Sequence, residues 1–257
     1  MPEKNNNSIY HELKRPVIFA HRGASAYAPE NTLTAFTLAI QQGAEAIELD
    51  AKLSADGHVV VMHDDTVDRT TNSIGAVSSL SLAELKKLDA GSKFNPAYHL
   101  ERIPTLEEVF ETIGPNVFIN VELKNYTSPI NDLPDKVISL VKEHGLETSV
   151  MLSSFNIIAL IRARSLLPKI SLGFITIKGL ADLTLQSRLV RLSPLLAFHP
   201  HYLDVTPKLV RAAHKVNSRV HTYTVNQPDT MQQLFSIGVD GIFTDDPPLA
   251  LKVAAEI

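Results

Sequence analysis

The sequence predicts an α/β fold: a (β/α)8 TIM barrel with a small insertion between the second strand and the second helix. Three observations carry that prediction. Eight short apolar runs recur along the 257 residues. The intervals between them carry the i, i+3, i+4 apolar spacing of helices that bury one face. Glycines close several of those helical patterns just ahead of the next run. Alternation of this kind marks a parallel sheet with crossover helices. A doubly wound open sheet is the alternative layout, but eight units match a barrel, which at about 250 residues is routinely one domain.

Residues 1–14 are polar and charged and are expected to form a loosely held arm. They lack the apolar core of a secretory signal. No run approaches the ~18 uninterrupted apolar residues of a membrane-spanning helix, so the chain is expected to be soluble and cytoplasmic. Val17–Ala20 reads as the first strand. Asn31-Thr32-Leu33-Thr34 then reads as an N-cap, followed by an apolar face of Leu33, Phe36, Leu38 and Ile40 and closed by Gly43. Ala46–Leu49 is the second strand. After a bend at Asp56-Gly57, with His58 on its far rim, Val59-Val60-Val61-Met62 leads into His63-Asp64.

From Asp65 to Ile103 no clean strand–helix unit appears; only Leu82–Leu88, capped by Ser81, has helical character. A stretch this long inside a compact domain reads as a lid or small insertion. Thr105-Leu106-Glu107-Glu108 is a capping box that opens the second barrel helix. The remaining strands are expected at Val117–Val121, Ser149–Leu152, Ile170–Phe174, Leu195–Phe198, Arg219–Tyr223 and Gly241–Phe243, with Gly145 and Gly238 closing helices between them. Asp245-Asp246-Pro247 reads as the start of the final helix. The whole chain, 1–257, is expected to be one domain with 65–103 as its insertion.

Composition excludes several classes. With 24 Lys and Arg against 28 Asp and Glu, the formal charge is −4 and no basic block exists, which argues against nucleic acid as a partner. The absence of cysteine removes disulfides, thiolate nucleophiles and Cys-ligated zinc together. Scattered surface charge marks no face for an oligomer.

The chemistry-bearing residues follow the strands. His21-Arg22-Gly23 follows the first, Glu48-Leu49-Asp50 the second, and Glu122-Leu123-Lys124 the third; Ser153-Ser154-Phe155 follows the fourth and Thr222-Tyr223-Thr224 the seventh. Residues i and i+2 of a strand share a face, so Glu48 and Asp50 point one way and Leu49 the other. All carboxyl strand ends of a parallel barrel meet at one mouth, where His21, Glu48, Asp50, His63, Glu122 and Lys124 converge. Three crowded carboxylates repel one another unless a cation neutralises them or some are protonated. An all-oxygen set suits Mg2+ or Ca2+ rather than zinc. Two histidines beside such a cation, with Arg22 and Lys124 supplying positive charge, describe a site for an anionic oxygen substrate such as a phosphate ester. His199 and His201, after the sixth strand, are candidates to face the mouth as well.

These motifs together, H-R-G at 21–23 with P-E-N-T at 29–32, E-x-D at 48–50, H-D at 63–64 and E-x-K at 122–124, resemble the glycerophosphodiester phosphodiesterase family over nearly the whole chain. The resemblance implies hydrolysis of glycerophosphodiesters to sn-glycerol 3-phosphate and an alcohol, with one divalent cation, Mg2+ or Ca2+. It further implies His21 and His63 as the acid–base pair and Glu48, Asp50 and Glu122 as metal ligands. Arg22 would contact the phosphate, Lys124 the phosphate or the glycerol end, and Asn31 and Asp64 would orient the site. Phe155 and Tyr223 are expected to wall the substrate pocket; Tyr223 stands where the family often has tryptophan. Two alternatives remain at this stage. One is a phospholipase-type phosphodiesterase acting on lipids, although the insertion is mostly polar around Phe94, Tyr98 and Leu100. The other is a barrel that binds phosphoesters without catalysis.

Overall fold

The computed structural model describes residues 9–181 and 197–257. Residues 1–8 of the expected arm, and 195–196 at the start of the expected sixth strand, lie outside them. Among the described residues, eight parallel strands close into a barrel: β1 (Val17–His21), β2 (Ala46–Leu53), β4 (Phe118–Leu123), β5 (Val150–Ser154), β6 (Ser171–Ile175), β7 (Ala197–His199), β8 (Arg219–Thr222) and β9 (Gly241–Thr244). Closure is achieved because β1 pairs with both β2 and β9. The ninth strand, β3 (Val59–Val61), is not a stave; it runs back antiparallel along the upper half of β2, with Ala51 opposite Val61 and Leu53 opposite Val59. That pairing explains why β2 runs four residues beyond its expected end at Leu49: its last turn of strand is held by β3, above the barrel proper.

Among the described residues the α-helices are α1 (Leu33–Gln41), α2 (Leu82–Leu85), α3 (Leu106–Ile113), α4 (Leu133–Glu143), α5 (Ile157–Leu166), α6 (Pro207–His214), α7 (Pro228–Ser236) and α8 (Pro247–Ala255). None of them is long and apolar enough to cross a membrane. The expected capping box of Thr105 with Glu108 opens α3, and the expected cap Ser81 also forms a capping box, with Glu84, at the start of α2. α2 is shorter than the expected Leu82–Leu88. The cap of α1 is Thr32, whose hydroxyl accepts from the Ala35 N–H at 3.2 Å, and not Asn31.

Alternation along the strands separates two apolar layers. Outward residues such as Ile47, Leu49, Val121, Leu123 and Leu152 pack against Phe36, Phe110, Val137 and Leu160 of the surrounding helices. Inward residues Val17, Phe19, Ala46, Phe118, Met151, Ala197 and Phe243 fill the barrel. Tyr10 belongs to this inner layer and is fully buried, which departs from the expected loose arm. Its ring lies under the Arg219 guanidinium at 4.1 Å, its carbonyl accepts from Arg219 at 2.7 Å, and its hydroxyl meets His221 Nε2 at 3.2 Å. The polar neighbours in 1–14 conceal a single aromatic plug. The inserted residues have a small core of their own, in which Val67, Val77, Leu85 and Ala90 pack beneath Val60 and Met62.

Two expectations follow. Tyr10→Ala should destabilise the barrel by about 3–5 kcal/mol, the usual loss for a large buried aromatic, whereas removal of a loose arm residue would leave the urea midpoint unchanged. His199 and His221 are buried without charge: burial holds His199 down at about 3 and His221 well below 6.5. The unfolded chain takes up these protons near pH 6.5 and the folded chain does not. Stability should therefore fall as pH drops from 6.5 toward 3, with a slope of up to about 1.4 kcal/mol per pH unit for each ring. Urea unfolding at pH 7.5 and pH 5 measures this, and His199→Leu should remove roughly half of the slope.

Candidate active site

The mouth is assembled from the ends of three adjacent strands. Their register sets His21 beside Glu48 and Asp50 beside Glu122. β1 ends in a turn in which Arg22 and Gly23 both adopt positive φ, 58° and 84°. Glycine is required at 23 for a second reason: a Cβ there would lie 2.6 Å from the Ala35 backbone carbon in the first turn of α1. Arg22 carries a left-handed backbone without being glycine, a strain of order 1–3 kcal/mol that persists only where surroundings impose it. Here they do. Its N–H donates to Glu48 Oε2 at 3.0 Å, and its guanidinium reaches Glu30 at 2.9 Å and Asp50 at 3.3 Å. Asn31, at φ 59°, leaves capping to Thr32 and donates its amide to Asp50 Oδ2 at 2.8 Å.

Glu48, Asp50 and Glu122 each offer an oxygen within 4.8 Å of the others. Glu48 and Asp50 are buried, and Glu122 is nearly so. Burial, with Asp50 and Glu122 close by, pushes the Glu48 carboxyl well above its ordinary range. Burial works the same way on Asp50, but Lys124 and Arg22 outweigh it and hold that carboxyl at about 2. Lys124 Nζ lies 3.5 Å from Asp50 and 3.1 Å from Glu122, and Glu122 also accepts from the Tyr126 hydroxyl.

The two histidines arrive by different routes and end in matching environments. His21 is the last residue of β1, and its Nδ1 lies 2.6 Å from Asp245 Oδ1. His63 is carried back to the mouth by β3, where the Met62 N–H donates to the Asp50 carbonyl at 2.9 Å. Its Nδ1 lies 2.6 Å from Asp64 Oδ1. Both carboxyls are held low: hydrogen bonds from Arg69 do so at Asp64, and at Asp245 the bond to His21 overcomes the opposing effect of burial to give about 2. Ionised carboxylates only accept, so each Nδ1 carries the proton and each Nε2 is left for the cavity. Burial lowers His63 itself, against the pull of Asp50.

The cavity these groups line measures about 230 Å³. His21, Arg22, Glu48, His63, Glu122 and Lys124 all border it, as do Phe155 and Tyr223. Phe155 meets Tyr223 edge-on at 6.2 Å and Tyr126 edge-on at 5.4 Å, which makes an aromatic wall. His199 also borders the cavity, with both ring nitrogens unpartnered, in room left by the missing side chain of Gly173. His201 does not border it; its Nδ1 accepts from the Leu203 N–H at 3.3 Å. Asp50 lies beneath the lining and touches its arginine, lysine and asparagine partners.

Asp245 is the principal residue that the sequence reading assigns elsewhere. The final helix is capped by Asp246, which accepts from the Leu249 N–H at 3.1 Å, whereas Asp245 turns inward to His21. Strand parity carried the signal, since Gly241, Phe243 and Asp245 share the inward face. Glu30 lay within the P-E-N-T motif without a role assigned to it, and Tyr126 and Arg69 carried no comparable mark. The residues present fit a hard divalent cation: the donor set is all oxygen, its three carboxylates lie within 4.8 Å of one another, and Asp50 Oδ1 is buried with no hydrogen bond, the Lys124 ammonium standing off at 3.5 Å.

Known proteins are similar to this chain in fold and in sequence. A phosphodiesterase from Oleispira antarctica, solved in complex with the product sn-glycerol-3-phosphate, superposes with a TM-score of 0.88 at 33% identity, covering 97% of this chain and 100% of that one. A glycerophosphodiester phosphodiesterase from Agrobacterium tumefaciens gives 0.80 at 30% identity, over 92% and 99% of the two chains. In sequence, the chain is 41% identical over 240 residues to a glycerophosphodiester phosphodiesterase of Caldanaerobacter subterraneus subsp. tengcongensis, 93% of this chain and 98% of that protein. The model of the glycerophosphoryl diester phosphodiesterase family matches residues 21–249, and the chain belongs to that family.

Proposed function

We propose that the chain hydrolyses glycerophosphodiesters to sn-glycerol 3-phosphate and an alcohol. The observation that carries this reading is the pair of histidines, each tied through Nδ1 to an aspartate, sharing one cavity with Glu48 and Glu122, beneath which Asp50 completes a three-carboxylate cluster. Arg22, with its planar fork, takes a non-bridging phosphate oxygen, and Lys124 adds a second positive charge. Glu48, Asp50 and Glu122 hold a divalent cation, Mg2+ or Ca2+. When bound, that ion offsets the negative charge that builds on the phosphate oxygens in the transition state. Phe155 and Tyr223 wall the pocket, while Asn31 orients Asp50.

His21 takes the proton of the nucleophile through Nε2, and Asp245 stabilises the imidazolium that results; the nucleophile is either water itself or a glycerol hydroxyl, whose cyclic phosphate product is then opened by water. His63 gives a proton to the departing alcohol oxygen, with Asp64 orienting its ring. Burial makes the neutral His63 the favoured form in the free protein; a phosphate anion beside it draws the proton back. The single domain carries 65–103 as a lid beside the mouth.

His21→Ala and His63→Ala should each lower kcat by at least ~10²-fold, the usual contribution of a general acid or base; wild-type turnover in either variant removes that residue from the mechanism. The pH profile should be bell-shaped. Its basic limb should lie at higher pH in kcat than in kcat/KM, because the former reports the substrate-bound and the latter the free protein. A profile flat from pH 5 to 9 contradicts the acid–base pair. After treatment with a chelator, Mg2+ or Ca2+ should raise the melting temperature, since a ligand that binds only the folded state stabilises it. Asp50→Asn should abolish that shift. An equal shift in the variant places the cation elsewhere.

A further inference from the structure

One guanidinium of the insertion reaches the mouth without bordering the cavity. Arg69 forks over two carboxylates at once. Its Nε lies 2.7 Å from Asp64 Oδ2 and its Nη2 lies 3.2 Å from Asp64 Oδ1. The same group holds both oxygens of Glu30, at 2.6 and 2.8 Å. Asp64 accepts from His63 at 2.6 Å, and Glu30 accepts from Arg22 at 2.9 Å. The five side chains thus form an unbroken run, Arg22–Glu30–Arg69–Asp64–His63, from the phosphate-facing arginine to the second histidine.

A lone surface ion pair contributes about 0–1 kcal/mol and would signify little. This arrangement differs in geometry. A planar guanidinium that meets two carboxylates through paired N–H bonds fixes the orientation of each. Asp64 Oδ1 is shared between Arg69 and His63, so the plane imposed on the carboxylate is passed to the imidazole. Arg69 and His63 are the side-chain partners of Asp64 among the described residues. Without Arg69, Asp64 is free to turn about its own side-chain bonds, and His63 loses a fixed direction for Nε2. The other end of the run ties the insertion to the β1–α1 turn, in concert with the bond from the Tyr98 hydroxyl to the Tyr27 carbonyl at 3.1 Å.

We propose that Arg69 is a positioning residue: it locks Asp64 so that His63 faces the cavity, and it fixes the insertion against Glu30 and Arg22. The proposal rests on His63 as a proton-transferring group. A double-mutant cycle on the full chain with Mg2+ and glycerophosphocholine tests it. Arg69→Ala should lower kcat by ~10-fold or more, and Arg69→Lys, which keeps the charge but cannot fork, should recover only part of that loss. In a His63→Gln background the same Arg69 substitutions should cost less than ~3-fold, because groups that act as one unit are non-additive. Equal losses in both backgrounds, or an unchanged kcat in Arg69→Ala, overturn the proposal. If Arg69→Ala fails to fold, Arg69→Lys completes the cycle by the same criterion. The role of His63 is read separately, from His63→Gln alone.

Discussion

Three carboxylates share one barrel mouth, and most of the remaining architecture answers that crowding. Two unit charges 4.8 Å apart repel by about 3 kcal/mol even at an effective dielectric of ~20. The fold answers with Arg22 and Lys124 on Asp50, an amide from Asn31, and a backbone N–H on Glu48. These are not enough: Glu48 remains pushed toward its protonated form and one oxygen of Asp50 has no hydrogen bond. The three carboxylates together are a group that could hold a metal ion. The left-handed backbone of Arg22 belongs to the same account. Its strain brings one residue's N–H onto Glu48 and its guanidinium onto Asp50 and Glu30.

The histidines are positioned by opposite strategies. His21 is delivered rigidly, at the end of a stave whose neighbours on both sides are paired. His63 comes from outside the barrel, just after a short antiparallel return that pairs with the upper part of β2. A side chain just after such a return needs outside support, and Asp64, Arg69 and Glu30 supply it. The inserted residues 65–103 carry the arginine that closes the run back to the β1–α1 turn. The aspartate partners are likewise unequal. Asp245 is half enclosed beneath the final helix, with Asn226 and Ser25 on its oxygens, whereas Asp64 depends on a single guanidinium.

Much of this was legible in the chain. Period-two alternation around Glu48-Leu49-Asp50 and Glu122-Leu123-Lys124 put the charges on one face and the leucines in the helix layer, and both leucines are fully buried there. Capping boxes and closing glycines marked helix ends from local hydrogen-bonding rules alone. What the sequence reading assigned otherwise was non-local. Tyr10 sits among polar residues, and only closure of the barrel gives its ring a cavity to fill. Asp245 precedes a proline-opened helix, and a cap and a histidine's partner look alike until His21, 224 residues away, is placed beside it. Arg69 resembles any exposed arginine.

The sequence by itself determined the barrel, the face on which each charged strand residue lies, and the company of histidines and carboxylates at the mouth. These follow from short-range periodicity and from the rule that parallel strands end together. Tertiary structure decided which carboxylate each histidine holds, which aspartate of the 245–246 pair caps the helix, and that Asn31 serves Asp50 while Thr32 caps. It also decided that His199 and His221 are buried uncharged. Each of these depends on groups distant in sequence meeting within hydrogen-bonding distance, or on water being excluded from around them. Neither condition is written in local pattern, because both arise only when the sheet closes on itself.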